Sequence, residues 1–233
     1  MLEIRDLHSF YGDAHILHGV DMDVPDSSVV ALLGRNGMGK TTVIRSIMGL
    51  PSVRIGSASI RFQGSELCGE PPHSIAQKRI GLVPQGRRLF PSLTVTEHLS
   101  MLPASHHTAW TIARVFEVFP RLAERRNHFG SQLSGGERQM LAIARALTLG
   151  PKLLLMDEPS EGLAPVMVQH LESIIIQLRA SGISILLVEQ NLYSALAIAD
   201  EVYILETGKV VYHATPTQLR DDPEGMRRFL GVS

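Results

Sequence analysis

Gly34-Arg-Asn-Gly-Met-Gly-Lys-Thr41 spells G-x-x-x-x-G-K-T directly behind the apolar run Val29-Val-Ala-Leu-Leu33. That run predicts a strand, and Thr41 to Met48, closed by Gly49 and Pro51, predicts a helix. At such a strand-to-helix turn the pattern reads as a phosphate-binding loop and implies a nucleoside-triphosphate ligand. Glycines at 34, 37 and 39 let the backbone curl tightly enough to aim successive N–H groups at phosphate oxygens. The helix start adds its positive end, Lys40 an ammonium for the outer phosphates, and Thr41 a hydroxyl placed for Mg²⁺. The candidate nucleotide-binding stretch is therefore Gly34, Arg35, Asn36, Gly37, Met38, Gly39, Lys40, Thr41 and Thr42.

A second motif narrows the class. Leu133-Ser-Gly-Gly-Glu137 opens a helical pattern through Met140, Ile143, Ala144 and Leu147 that ends at Gly150-Pro151. Ser134 and Glu137 have capping-box spacing, but two glycines in a first turn cost about 1 kcal/mol each and a cap does not need them. A backbone that must approach a phosphate does. Here the chain resembles the ATP-binding cassette (ABC) family, whose signature reads LSGGQ or LSGGE, over nearly its whole length. The resemblance implies an α/β P-loop NTPase fold with a mostly parallel central sheet and an antiparallel β edge. It also implies a nucleotide-binding core over 1–86 and 150–233, with an inserted helical subdomain over 87–149.

Further motifs follow in the family's order. Leu153-Leu-Leu-Met-Asp-Glu158 is an apolar strand ending in two carboxylates, so one can hold a Mg²⁺ shell while its neighbour addresses an attacking water. By resemblance Asp157 is the magnesium residue and Glu158 the general base. Gln85, after Ile80-Gly-Leu-Val-Pro84, matches the glutamine that senses Mg²⁺ and the γ-phosphate and moves with the transporter contact. Tyr11 matches the aromatic that stacks on adenine. Two positions depart from the common pattern: Ala164 stands where an aspartate is usual, and Gln190 where a switch histidine is usual. Glutamine can offer a γ-phosphate one neutral hydrogen bond but neither charge nor a proton. Catalysis is thus assigned to Lys40, Gln85, Glu158 and Gln190, and metal binding to Thr41, Gln85 and Asp157.

Composition fits this class. The 233 residues suffice for one compact unit, and the net charge is −1 with no basic stripe for nucleic acid. The single Cys68 excludes an internal disulfide, and the ten histidines form no H-E-x-x-H pattern. Met1-Leu-Glu-Ile-Arg-Asp6 is charged from the start, unlike a secretion signal, and no apolar run approaches the roughly 20 residues of a membrane span. Strands are expected at Leu2–Ile4, Val20–Val24, Val29–Leu33, Ser59–Phe62, Ile80–Val83, Leu153–Asp157, Ile185–Val188, Val202–Leu205 and Lys209–Tyr212. Between Gln85 and Ser134 strands give way to helices, one capped by Thr94 and Glu97 and one from Thr108 to Phe119. A last helix fits Thr217–Arg220 or Gly225–Leu230.

The resemblance also implies partners. Two cassettes face head to tail in this family, so Ser134, Gly135 and Gly136 would close on the γ-phosphate of ATP held by a second ATPase subunit. A lone chain would hydrolyse ATP poorly. Membrane permease subunits would dock beside Gln85, placing the chain peripherally on the cytoplasmic face of the cell membrane, with a periplasmic-type solute-binding protein as an indirect partner. Gly34-Arg-Asn-Gly37, the stretch Pro84–Val95, Asp157–Pro165 and Val188-Glu-Gln-Asn191 resemble the shorter ATPase subunit of branched-chain amino-acid importers, where Ala164 and Gln190 are usual. That subunit pairs with a different ATPase subunit. Urea and short-amide importers carry a similar subunit, and a soluble assembly scaffold is a third role for a single cassette.

Overall fold

A computed structural model describes residues 1–101 and 109–222. The chain opens with β1 (Leu2–Tyr11) and β2 (Ala14–Val24), followed by β3 (Val29–Leu33) and α1 (Lys40–Ile47). Next come β4 (Arg54–Phe62), β5 (Ser65–Glu66), α2 (Pro72–Gln77) and β6 (Ile80–Val83). Helices α3 (Val95–Ser100), α4 (Ile112–Val118), α5 (Pro120–Glu124) and α6 (Gly135–Leu147) precede β7 (Leu153–Asp157). Then follow α7 (Pro165–Ala180), β8 (Ser184–Glu189), α8 (Leu192–Ile198), β9 (Glu201–Glu206), β10 (Lys209–Ala214) and α9 (Pro216–Arg220).

The central sheet has the order β10-β9-β3-β8-β7-β6, parallel throughout except for the antiparallel edge β9–β10. Every residue of β3, β7 and β8 is buried. Strands covered on both faces must be apolar on both faces, so these three read as unbroken hydrophobic runs. Their alternate side chains feed two cores. Leu154, Met156, Ile185 and Leu187 face one core, with α6, α7 and the residues of α3 to α5. Leu153, Leu155, Leu186 and Val188 face the other, with α1 and a second sheet.

That second sheet is antiparallel, ordered β2-β1-β4-β5, and it takes the strands expected near Leu2–Ile4, Val20–Val24 and Ser59–Phe62. They run longer than their patterns suggest. In β1 the alternation of buried Leu2 and Ile4 with exposed Glu3 and Arg5 breaks at Asp6, which has φ 49°. The register slips between Ile4 and Leu7, so Leu7 returns to the core out of phase and the period-2 signal stops early. β1 therefore reaches Tyr11, which stands at the turn Gly12-Asp13 leading into β2.

Helix starts follow their caps. Thr94 and Ser134 form full capping boxes with Glu97 and Glu137. The helix expected from Thr108 begins instead at Ile112, where Thr111 accepts the Arg114 amide; Thr108 lies outside the described residues. α9 occupies Pro216–Arg220, and the alternative Gly225–Leu230 also lies outside them. Among the described residues no helix is long and apolar enough to cross a membrane.

Leu186 is wholly buried at the centre of β8. Leu186→Ala is expected to cost about 2–5 kcal/mol through a cavity the sheet cannot close. Val166→Ala, at a position 69% exposed, should stay within about 0.5 kcal/mol of wild type. Urea denaturation of both variants checks the contrast.

Candidate nucleotide-binding site

The site is assembled from turns at the carboxyl ends of the parallel strands. β3 runs out at Leu33, and the chain enters α1 through Gly39, whose φ is 105°. Gly39 gives the helix no side-chain cap, whereas Ser134 and Thr94 cap α6 and α3 with their hydroxyls. The first-turn N–H groups of α1 are thus left for an acceptor from outside the chain, at the positive end of the helix.

Lys40 is 4% exposed. Its Nζ donates to the Gly34 and Arg35 carbonyls at 2.8 and 3.2 Å and pairs with Glu158 Oε1 at 3.1 Å. Glu158, the first residue beyond β7, is held at φ 48°, a conformation that costs a residue with a Cβ about 1 kcal/mol or more. Its N–H donates to Val188 O at 2.9 Å, which fixes this turn to β8. Its second oxygen accepts from Gln85 Nε2 at 3.2 Å, and the same nitrogen donates to Glu161 at 3.0 Å. Asp157 ends β7 with Oδ1 accepting the Thr41 hydroxyl at 3.0 Å. Burial pushes the Asp157 carboxyl above its ordinary range; the Thr41 bond opposes this and Glu158 adds to it. A cation beside it would favour the ionised form.

Tyr11, Asn36, Gly37, Gly39, Lys40, Thr41, Thr42, Gln85 and Glu158 line a cavity of about 340 Å³. The Tyr11 hydroxyl accepts from Arg45 Nη1 at 2.9 Å. Three members of the expected stretch, Gly34, Arg35 and Met38, are absent from that lining. A Cβ on Gly34 would run into the Leu205 carbonyl. Arg35 contributes its carbonyl to Lys40, and Met38 turns its sulfur to the Thr207 N–H at 3.2 Å. Gln190 is exposed beyond β8 and lines an adjoining cavity with Glu158, Glu161 and Glu189. Ala164 is the N-cap of α7, a place where an aspartate would also have capped the helix.

Ser134, Gly135 and Gly136 are absent from that lining and stand at the start of α6. Their glycines have a local cause besides any phosphate. A Cβ on Gly136 would lie 2.7 Å from Met167 Cε, and one on Gly135 would lie 3.3 Å from Arg87 Nη1.

Four further residues belong to the site. Ile16 and Glu161 line the first cavity, Arg45 holds Tyr11, and Glu189 is a 3% exposed carboxylate accepting the Ser160 and Gln190 N–H groups at 3.0 and 3.2 Å. Glu161 and Glu189 carried a signal, a carboxylate directly after an apolar strand or its turn. Ile16 and Arg45 carried none, since an apolar strand residue and a helix-surface arginine are ordinary.

The ABC transporter family matches residues 17–161. The branched-chain amino acid transport ATP-binding protein BraG of Pseudomonas aeruginosa is 44% identical, covering 99% of this chain and all of that protein. The probable branched-chain amino acid transport protein LivF of Archaeoglobus fulgidus is 35% identical over 100% of this chain and 99% of its own. The lipopolysaccharide export ATP-binding protein LptB of Escherichia coli is 32% identical over 99% and 97%. A solved ATP-binding subunit of an ABC transporter superposes with TM-score 0.81 at 30% identity, covering 100% of this chain and 95% of that one.

Burial also raises the Glu189 carboxyl above its ordinary 4.5, with the Ser160 hydrogen bonds opposing. A carboxyl raised on folding binds its proton more tightly in the folded state, so its contribution to stability falls as pH rises from the ordinary value through the raised one. Glu189→Gln, which imitates the protonated form, lacks this dependence. Urea denaturation from pH 4 to pH 7 should therefore show wild type losing ground to the variant as pH increases; a constant difference would refute the assignment.

Proposed function

This chain belongs to the ABC transporter family, and we propose on that footing that it is the ATP-hydrolysing subunit of a branched-chain amino-acid importer. It binds and hydrolyses ATP. The observation that carries the solute class is the 44% identity to BraG along essentially both full lengths. Its partners are a second ATPase subunit and membrane permease subunits, which hold it at the cytoplasmic face of the membrane and receive solute from a periplasmic-type binding protein. ATPase activity of the purified complex in vesicles tests this: binding protein loaded with leucine, isoleucine or valine should stimulate it, and stimulation only by urea- or amide-loaded protein would overturn it.

In this reading the uncapped start of α1 and Lys40 take the phosphates, while Tyr11 and Ile16 wall the base. Lys40 exchanges Glu158 for phosphate oxygen, and the carboxylate it leaves is free to take a proton from the attacking water. Gln85 steers that carboxylate through its amide N–H, and Gln190 reaches the same region from β8. Thr41, Asp157 and Gln85 are oxygen donors that would hold Mg²⁺, a cation that proteins commonly bind through one or two carboxylates together with substrate phosphates. When bound, Mg²⁺ neutralises charge developing on the phosphates. Ser134 to Gly136, apart from their own chain's cavity, serve the partner's nucleotide.

Glu158→Gln should keep ATP binding and slow hydrolysis by about 10²–10⁴-fold, measured as steady-state turnover of the complex. Near wild-type turnover would remove Glu158 from the base role. Gln190→Ala removes only a neutral hydrogen bond from an exposed position, so complex turnover should fall a few-fold. A loss of about two powers of ten, the size seen when a lost charge-stabilising donor is essential, would show that this site carries the main catalytic load.

A further inference from the structure

Between Gln85 and Phe90 the backbone is strained and tied down. Gly86, Arg87 and Arg88 lie in succession at φ 79°, 65° and 41°, and two of the three carry a Cβ that disfavours this region. Such a run persists only where its surroundings hold it. Arg145 of α6 donates to the Arg88 carbonyl at 3.1 Å, and the wholly buried His98 of α3 accepts the Phe90 N–H at 3.0 Å. The turn so formed directs the half-buried Arg87 side chain inward. Its Nη2 donates to the Glu161 carbonyl at 3.2 Å, and its guanidinium lies against the bare Cα of Gly135. Gln85 holds the carboxylate of the same Glu161 at 3.0 Å and that of Glu158 at 3.2 Å. One short segment therefore grips both ends of Glu161 and touches the first turn of α6.

We propose that Arg87 is a positioning residue that ties this chain's signature turn to its own Glu158 turn, so that the two ATP sites of the assembly communicate through the chain. The inference rests on the two-cassette reading above. In that reading Gly135 serves the partner's nucleotide while Glu158 serves the chain's own. Arg87 contacts the first directly and reaches the second through Glu161 and Gln85. A planar guanidinium suits this: it lies against a glycine with one amino group while the other donates to a carbonyl, a combination an ammonium cannot reproduce. Departure of the partner's phosphate from Gly135 would shift Arg87 and, through Glu161, the hydrogen bonds that aim Glu158.

The test is the full complex with Arg87→Met, which keeps the stem, and Arg87→Lys, which keeps the charge. ATP binding to the isolated chain and its thermal melt should match wild type. Turnover of the complex at saturating ATP should fall about ten- to a hundredfold, the scale of a small misplacement at a distance, with KM little changed and the Hill coefficient for ATP dropping to near one. Unchanged cooperativity in Arg87→Met, or full rescue by Arg87→Lys, would overturn the inference. Equal loss of nucleotide affinity in the isolated chain would do so too, by placing Arg87 in its own site. Should Arg87→Met not fold, Arg87→Lys decides alone by the same readout. A wild-type complex without cooperative turnover would overturn the two-cassette reading and this inference with it; a cooperative wild type beside an equally cooperative Arg87→Met overturns only the latter.

Discussion

The ion pair between Lys40 and Glu158, 3.1 Å long with both side chains largely out of water, joins the turn after β3 to the turn after β7. Those strands flank β8 in the central sheet, so the pair spans three strand ends. A buried pair of this kind is weak evidence for stability, because desolvation offsets much of the attraction. Its consequence is geometric. It holds a cation and a carboxylate against each other in the wall of one cavity. The Thr41–Asp157 hydrogen bond repeats the link one residue along on each side.

Parallel pairing makes that arrangement possible. In a parallel sheet every carboxyl end emerges on one edge, so the turns after β3, β6, β7 and β8 converge there. Lys40, Gln85, Glu158 and Gln190 come from these four turns. The antiparallel sheet adds Tyr11 and Ile16 from the β1–β2 hairpin, held by Leu7, Leu17 and Val20 over the core that α1 shares with it. Two cores on opposite faces of one sheet thus position two sides of one cavity.

Among the described residues the inserted helices meet this platform through a polar contact from Arg87 and a shared apolar core. Arg145 to the Arg88 carbonyl and His98 to Phe90 brace the insert within itself, Arg87 reaches out of it to the Glu161 carbonyl, and the apolar core beneath them is broad.

Unbroken apolar runs marked β3, β7 and β8, and glycine spacing marked the loop around Lys40, because burial on both faces and close backbone approach each restrict residue type. Helix starts at Thr94 and Ser134 were equally legible from their caps. The sequence alone therefore determined the parallel core, the glycine-rich turn between β3 and α1 and the carboxylate pair at the end of β7. Only the tertiary structure decided that β1, β2 and β4 form a separate sheet, since a strand's period does not name its pairing partners, and the bulge at Asp6 hid how far β1 extends. It alone decided that Arg35 and Met38 are left out of the cavity lining while Ile16, Arg45 and Glu161 join the site. And it alone gave Gly135 and Gly136 their packing partners, Arg87 and Met167. Such contacts join residues distant along the chain, and local pattern carries no information about which distant side chain will arrive.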